Sequence, residues 1–286
     1  MTSHFHCRHP ATTVASPIVP ATLAPYWRLF LAGIRQQSTY RLAMFGGLVA
    51  NTTFGFLKVA MLLATVRAAG GEIQGYDIGE MSAYIWLSQG LLGSINLNGR
   101  TAFADRIKTG DIAIDFARPM NVQWGQVATE VGKSVYALLP RGLPSVAIGA
   151  LVVGMTMPVT PLPYLLGVVS LLLGFVISAT TAYALNTTGF WLVETRGVQV
   201  LYMVVSGFFA GLFVPISFFP GWLLAIAQAT PFPSMMMFPI DIVSGRVTGS
   251  GAYALLGVQL LWLLVTAVLG HVLTLAGRRK VEIQGG

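Results

Sequence analysis

The chain has 286 residues, of which 55 % are hydrophobic and 9 % charged, with a net charge of +7. A soluble domain carries about 25 % charged residues, so too little polar surface exists here to cover a soluble globule, and the sequence reads as an integral membrane protein. The basic excess does not point to nucleic acid, because the basic residues sit between apolar runs rather than along one patch.

Residues 1–24 carry His4, His6, Cys7 and His9, then a run of Ala, Thr, Val and Pro. That run lacks the continuous apolar core of a cleaved signal peptide, and one cysteine permits no intrachain disulfide. The His/Cys group has metal-ligand chemistry, but nothing orients it. The expectation is a disordered cytoplasmic tail over 1–24. Next comes "APYWRLFLAGIRQQSTYR". Trp27, Phe30, Leu31 and Ile34 recur at helical spacing, while Arg28, Arg35 and Gln36 face elsewhere. This predicts a helix over 25–40 lying in the inner membrane interface, with an extension of the first span as the alternative.

A crossing helix needs roughly 20 mostly apolar residues. Six candidates follow, over 42–66, 80–98, 134–157, 163–186, 197–219 and 252–276. Pro140, Arg141 and Pro144 interrupt the third, which either kinks there or begins later. Six crossings put both termini on one side. Cytoplasmic termini place fourteen Lys and Arg residues in inner segments, Lys133 and Arg141 among them, against Arg67 and Arg246 outside. The positive-inside rule therefore selects that orientation, with the closing "GRRK" at the inner surface.

Lys58 falls within the first span, where a charge is a functional candidate unless its stem carries it to the interface. Asn51, Thr52 and Thr53 below it, and Gln89 in the second span, can line a path or bond neighbouring helices. Glu194 and Arg196 at the inner junction of spans four and five suggest an ion-pair clasp. Between spans five and six, Pro215, Pro220, Pro231, Pro233 and Pro239 punctuate the chain. The piece "GWLLAIAQA" is too short to cross. Residues 215–240 are expected to dip into the outer leaflet and return, over an exit or lid, or to lie flat with Trp222 as an interface anchor. Met235, Met236 and Met237 offer an adaptable surface for an apolar substrate or ordinary packing. The candidate substrate-path residues are Asn51, Lys58, Gln89, Phe209, Trp222 and Met236.

The charge is unevenly spread. Seven of the 27 charged residues fall between Arg100 and Arg118. Thr101 to Thr109 reads as a short helix stopped by Gly110. Phe103 and Ile107 share one face, with Asp105, Arg106 and Lys108 around the rest. Ile112, Ile114 and Phe116 then alternate with polar or small residues up to "RP". A charged helix with an apolar ridge at the cytosolic membrane face can plug into a groove on a soluble partner, or can be a solvated loop of positive-inside charge.

"RIKTGDIAIDFARPM" resembles the "I-(K/R)-T-G-(D/E)-I … L-x-R-P" stretch of bacterial ABC transporter permeases of the type-2 exporter class, in the branch first catalogued as a domain of unknown function. "GLFVPISFFPGWLLAIAQATPFPSMMMFPIDIVSG" is similar to the same branch's "G-x-x-x-P-x-x-F-x-P-x-W … P-F … P … G" segment. The resemblance runs from about residue 25 to the end. It implies an all-α membrane protein, a single six-span domain over 25–286 in a bacterial inner membrane. An interfacial helix, a cytoplasmic coupling helix within 101–118 and re-entrant outer helices would complete it. It implies two permeases side by side, identical or different, each with a cytosolic ATP-binding-cassette ATPase beneath. The docking residues would be Phe103, Asp105, Arg106, Ile107, Lys108, Asp111 and Arg118.

"VGKSV" at 131–135 is not a phosphate-binding loop. The required first glycine would stand at position 127, which is Val127, and no strand precedes it. Lys133 is instead expected to pair with Glu130 or with lipid phosphate. No nucleophile–base or metal-ligand constellation stands out, so the chain is expected to be no enzyme and to hold no cofactor, with ATP and Mg²⁺ in the partner ATPase. The leading function is the membrane half of an ATP-driven exporter of an amphipathic or hydrophobic substrate. A low interior charge argues against strongly ionic cargo. Gradient-driven transporters place carboxylates or broken helices near the midplane, and no Asp or Glu lies at the centre of any candidate span. That makes gradient-driven transport the second reading, and a membrane scaffold the third.

Overall fold

A computed structural model describes residues 23–192 and 194–284. The His4, His6, Cys7 and His9 group lies outside the described residues. Among those described, four helical stretches are long and apolar enough to cross a membrane: Arg41–Ala68, Val122–Val152, Leu162–Phe190 and Gly249–Lys280. The remaining two candidate spans contain helices of only 14 residues, α3 (Ile78–Leu91) and α9 (Arg196–Phe209). At about 1.5 Å per residue each falls short of a roughly 30 Å hydrocarbon core.

The first helix, α1 (Ala24–Ser38), is separated from α2 (Arg41–Ala68) by a break at Thr39 and Tyr40. It does not present its whole apolar face outward. It lies along α6 (Val122–Ala137), where Gly33 and Gly132 let the backbones close. A Cβ on either glycine would sit 2.1 Å from a carbonyl oxygen of the opposite helix, Thr129 O or Phe30 O. Small residues at such contacts let helices approach where lipid supplies no hydrophobic drive.

The third candidate span starts earlier than its prolines suggest. Helix α6 passes through a π-helical turn at Leu138–Gly142 into α7 (Leu143–Val152). Pro140 lacks an N–H, and the widened turn takes up the missing bond without ending the helix. The consequence is a correction: Arg141 and Lys133 belong to a long apolar helix, not to a separate inner segment. Helix α3 runs back against α2 and α7, with Trp86 fully buried where Gly55 and Gly149 make room for its ring.

After α3 the backbone is irregular from Leu92 to Arg100, where helix was expected to continue. Side chains of other helices satisfy it. Ser206 Oγ donates to Leu97 O at 2.8 Å, Asn186 Nδ2 to Gly99 O at 2.6 Å, and Asn96 N–H to Ser178 Oγ at 2.8 Å. Irregular backbone among apolar helices persists only with such partners.

Helices α8 (Leu162–Asn186) and α13 (Gly249–Gln284) run parallel. Polar pairs zip them together: Ser170 with Gln259 at 2.9 Å, Thr180 with Thr266 at 2.8 Å, Tyr183 with Thr274 at 2.7 Å. The proline-rich stretch between α9 and α13 forms a 3₁₀ turn at Ile216–Phe218 and three short helices, α10 (Gly221–Gln228), α11 (Phe232–Met235) and α12 (Met237–Val243). Met235, Met236 and Met237 are buried in the main core. Their packing role holds, and Met236 is no free surface.

At the same end of the bundle, strands β1 (Glu72–Ile73) and β2 (Tyr76–Asp77) form a hairpin, with Ile73 opposite Tyr76. Gln74 and Gly75 both have positive φ, 51° and 74°, the backbone of a tight two-residue turn. Asp77 and Glu80 then form a reciprocal capping box that starts α3.

Candidate functional site

The charged stretch forms two short helices, α4 (Ala102–Thr109) and α5 (Ile112–Ala117). Thr101 caps α4 by accepting from Phe103 N–H, and Gly110, at φ 81°, ends it in the left-handed region. The apolar alternation after Gly110 forms a helical turn rather than an extended strand. Phe103 is wholly buried, its ring 4.6 Å from that of Tyr183 on α8 and 6.2 Å from Phe190. The ridge thus seats α4 on its own protein.

Arg106 ties the two helices together. Its Nε and Nη2 donate to the two carboxylate oxygens of buried Asp115 at 2.5 and 2.9 Å. Arg118 adds a contact to Asp115 at 3.3 Å. The bond to Asp115 pushes the Arg106 guanidinium further up from its already high range. Lys108 reaches Glu194 Oε2 at 3.3 Å, linking α4 to the segment that leads into α9. The Arg196 backbone N–H and then Lys108 hold the Glu194 carboxyl below its usual range. Glu194 therefore clasps Lys108 by its side chain, and the hydrogen bond it takes from Arg196 comes from the backbone N–H. A polar cleft of about 370 Å³ lies beside this clasp, lined by Arg100, Asp105, Lys108, Glu194 and Gln199.

A larger cavity, about 720 Å³, lies between the irregular 92–100 segment, α6–α7 and α9. One wall is polar, with Asn96, Asn98, Arg100, Glu130, Lys133 and Arg141. The other is apolar, with Met203, Val204, Phe208, Leu212 and Phe213. Lys133 pairs with Glu130 at 2.7 Å, as its spacing predicted, and lies within continuous helix rather than a phosphate loop. Arg141 Nη2 donates to Asn51 Oδ1 at 2.8 Å, and Asn51 Nδ2 donates to Gln89 O at 2.8 Å.

The sequence model of the family described as ABC-2 family transporter protein matches residues 50–285. The chain belongs to the ABC-2 family of transporters. No curated protein matches it. ABC-2 proteins are the membrane subunits of ABC transporters, not the ATPases, and they work with ABC ATPase partners. This chain is therefore a multi-pass membrane component of such a transporter.

Among the seven docking candidates of this ABC-2 subunit, Asp105, Lys108, Asp111 and Arg118 are exposed, Arg106 and Ile107 are half-buried, and Phe103 is buried. Two residues of the same tip escaped the list. Ile114 is 57 % exposed on α5, the apolar contact that Phe103 was expected to offer. Asp115 is the buried acceptor that holds Arg106. Every alternate position from Ile112 to Phe116 is apolar, which concealed that a helical turn would bury Ile112 and expose Ile114.

The six path candidates scatter. Asn51 and Gln89 are buried behind the cavity and hold Arg141. Lys58 is satisfied by the Leu212 carbonyl and lies 6.0 Å from the Phe213 ring centroid. Phe209 does not itself line the cavity; it packs on Phe208, which does, and on Phe219. Trp222 is 67 % exposed on α10, and Met236 is in the core. The residue that sequence reading missed is Arg141. The signal was an arginine between two prolines in an apolar run, read as a break in a helix that in fact continues.

Proposed function

We propose that this chain is the permease half of an ATP-driven exporter in a bacterial inner membrane, with both termini cytoplasmic. The observation that carries the reading is the α4–α5 unit. It is seated by Phe103, stapled by Arg106 and Asp115, and tied through Lys108 and Glu194 to α9, a cavity-lining helix. A push on the exposed tip at Asp111, Ile114 and Arg118 would move α4 and α9 together.

Six crossings complete the proposal. Helices α2 and α6–α7 run parallel, as do α8 and α13, so the chain has to return between each pair. Helix α3 with the 92–100 segment, and α9 with the short helices after it, supply those returns. The second of them gives the re-entrant outer region over 215–240, and α1 on α6 gives the interfacial layer. Two permeases, identical or different, would each seat one ATPase at the α4–α5 tip. ATP and Mg²⁺ would be held by those ATPases, and this chain would need no cofactor. An amphipathic or hydrophobic substrate would enter the 720 Å³ cavity and leave on the far side as the subunits rock.

The test is a gentle-detergent pull-down of the full chain from its native host, with ATP hydrolysis assayed on the eluate. A stoichiometric ATP-binding subunit with activity is expected. No ATPase at any detergent strength would turn the reading to gradient-driven transport.

A further inference from the structure

The cavity has a chemical polarity that narrows its cargo, provided the permease reading holds. Arg141 reaches it through a passage without side chains. A Cβ at Gly47 would lie 2.9 Å from the guanidinium carbon, and one at Gly93 2.9 Å from Nη1. Asn51, itself fixed by the Gln89 carbonyl, holds one end of the guanidinium. The Nε–H is buried and has no acceptor among the described residues. Such support from behind orients a binding group before the ligand arrives.

Nothing acidic balances it. Among the described residues Glu130 is the one carboxylate on the cavity wall, and Lys133 already occupies it at 2.7 Å. Arg141 and Arg100 have no carboxylate within ion-pair distance among the described residues, so the wall carries net positive charge. A cation left unpaired among apolar helices is costly and marks a functional position. The planar guanidinium fork matches carboxylate and phosphate oxygens in pairs. From the other side, Met203 and Phe208 on α9 and Phe213 in the turn just after it supply an apolar wall, and Met adapts to varied tails. A cavity near 720 Å³ falls in the range of small-molecule sites, about 300–1,000 Å³.

We propose that this cavity binds amphipathic anions, with Arg141 taking the carboxylate or phosphate head and the apolar wall taking the apolar tail. The anion's charge completes the unpaired guanidinium, and the tail replaces lipid or water on Met203, Phe208 and Phe213.

The test uses the full chain with its co-purified ATPase in phosphatidylcholine nanodiscs. Dansyl-undecanoate and its uncharged methyl ester are titrated by fluorescence. The acid is expected to bind about tenfold tighter than the ester, as for one charge-assisted bidentate contact. Arg141→Gln should erase that preference, and Arg141→Lys should keep part of it, with unchanged elution on size exclusion. Equal binding of acid and ester by the unaltered protein overturns the proposal without any variant. So does a preference that survives Arg141→Gln. Discs doped with phosphatidylglycerol separate the sources. Displacement of the probe marks a bilayer anion and retention marks an anion from solution, and both support the site. Loss of the ATPase from the preparation would sink the permease reading alone, while equal binding with the ATPase present sinks the anion site alone.

Discussion

Arg106 and Asp115 form a two-pronged ion pair, at 2.5 and 2.9 Å, that makes one rigid unit of two helices too short to be stable apart. Asp115 is 7 % exposed, so its carboxylate depends on this partner. Arg106→Ala leaves that buried charge with only the longer 3.3 Å contact to Arg118, a loss of about 1–3 kcal/mol locally. Arg106→Ala and Asp115→Ala are each expected to abolish ATPase co-purification. The swap of Arg106→Asp with Asp115→Arg should recover part of it. Unchanged co-purification by the single variants would separate this pair from docking.

Phe103 and Ile114 divide anchoring from contact. Phe103→Ala opens a void against Tyr183 and Phe190 and should destabilise the tip by about 3–4 kcal/mol, visible as rapid proteolysis between α3 and α6. Ile114→Asp alters only an exposed position. It should leave proteolysis and elution unchanged while weakening ATPase binding at least tenfold, about 1.4 kcal/mol. Retained ATPase affinity in Ile114→Asp would place the contact elsewhere on the tip.

Lys108 and Glu194 are both well exposed, so their pair adds little to stability. Its expected role is transmission from α4 to α9. Lys108→Glu should leave the thermal midpoint unchanged and ATP hydrolysis present, while substrate-stimulated transport falls. Combining it with Glu194→Lys should restore coupling. Transport that is insensitive to Lys108→Glu would assign the transmission to Phe103 packing alone.

Arg246 gathers the opposite end of the bundle. It lies over the Tyr76 ring, donates to Gly75 O at 2.7 Å, and approaches Glu80 at 3.6 Å and Asp241 at 3.7 Å. Burial pushes the Asp241 carboxyl up to about 7, against the opposing pull of Arg246. Between its ordinary value near 3.8 and about 7, the folded chain binds more protons than the unfolded one. Stability therefore falls as pH rises through that window and levels off above it. Thermal midpoints in nanodiscs should be higher at pH 5 than at pH 8, and Asp241→Asn should flatten the difference. A slope that Asp241→Asn leaves intact would assign it to another group.

The α1–α6 pair is set by two glycines. Gly33→Leu drives a side chain into the Thr129 carbonyl and should cost about 1–3 kcal/mol or displace α1. The expected result is loss of a crosslink engineered between Tyr26→Cys and Asn121→Cys, whose parents touch through the Tyr26 hydroxyl at 3.1 Å. A crosslink that forms as before would show that α1 tolerates the added volume.

Local chemistry made much of this protein legible in its sequence. Membrane residence follows from scarce charge. The α4 limits follow from a Thr cap and a Gly stop, and the Glu130–Lys133 pair from helical spacing. The ABC-2 resemblance rested on short motifs whose prolines and glycines impose backbone shape wherever they stand.

Only the tertiary structure decided the rest, because each remaining feature joins positions far apart in the chain. Whether Phe103 faces a partner or its own protein depends on Tyr183, which α8 brings beneath it. Glu194 could not choose Lys108 over Arg196 until α4 and α9 were neighbours. Arg141 read as an inner-surface charge because a proline usually ends a helix. The π turn at Leu138–Gly142 keeps it within the helix instead, and Gly47 and Asn51 on α2, Gln89 on α3 and Gly93 just after it surround its guanidinium. Spacing encodes which residues share a face, and packing alone decides what that face meets.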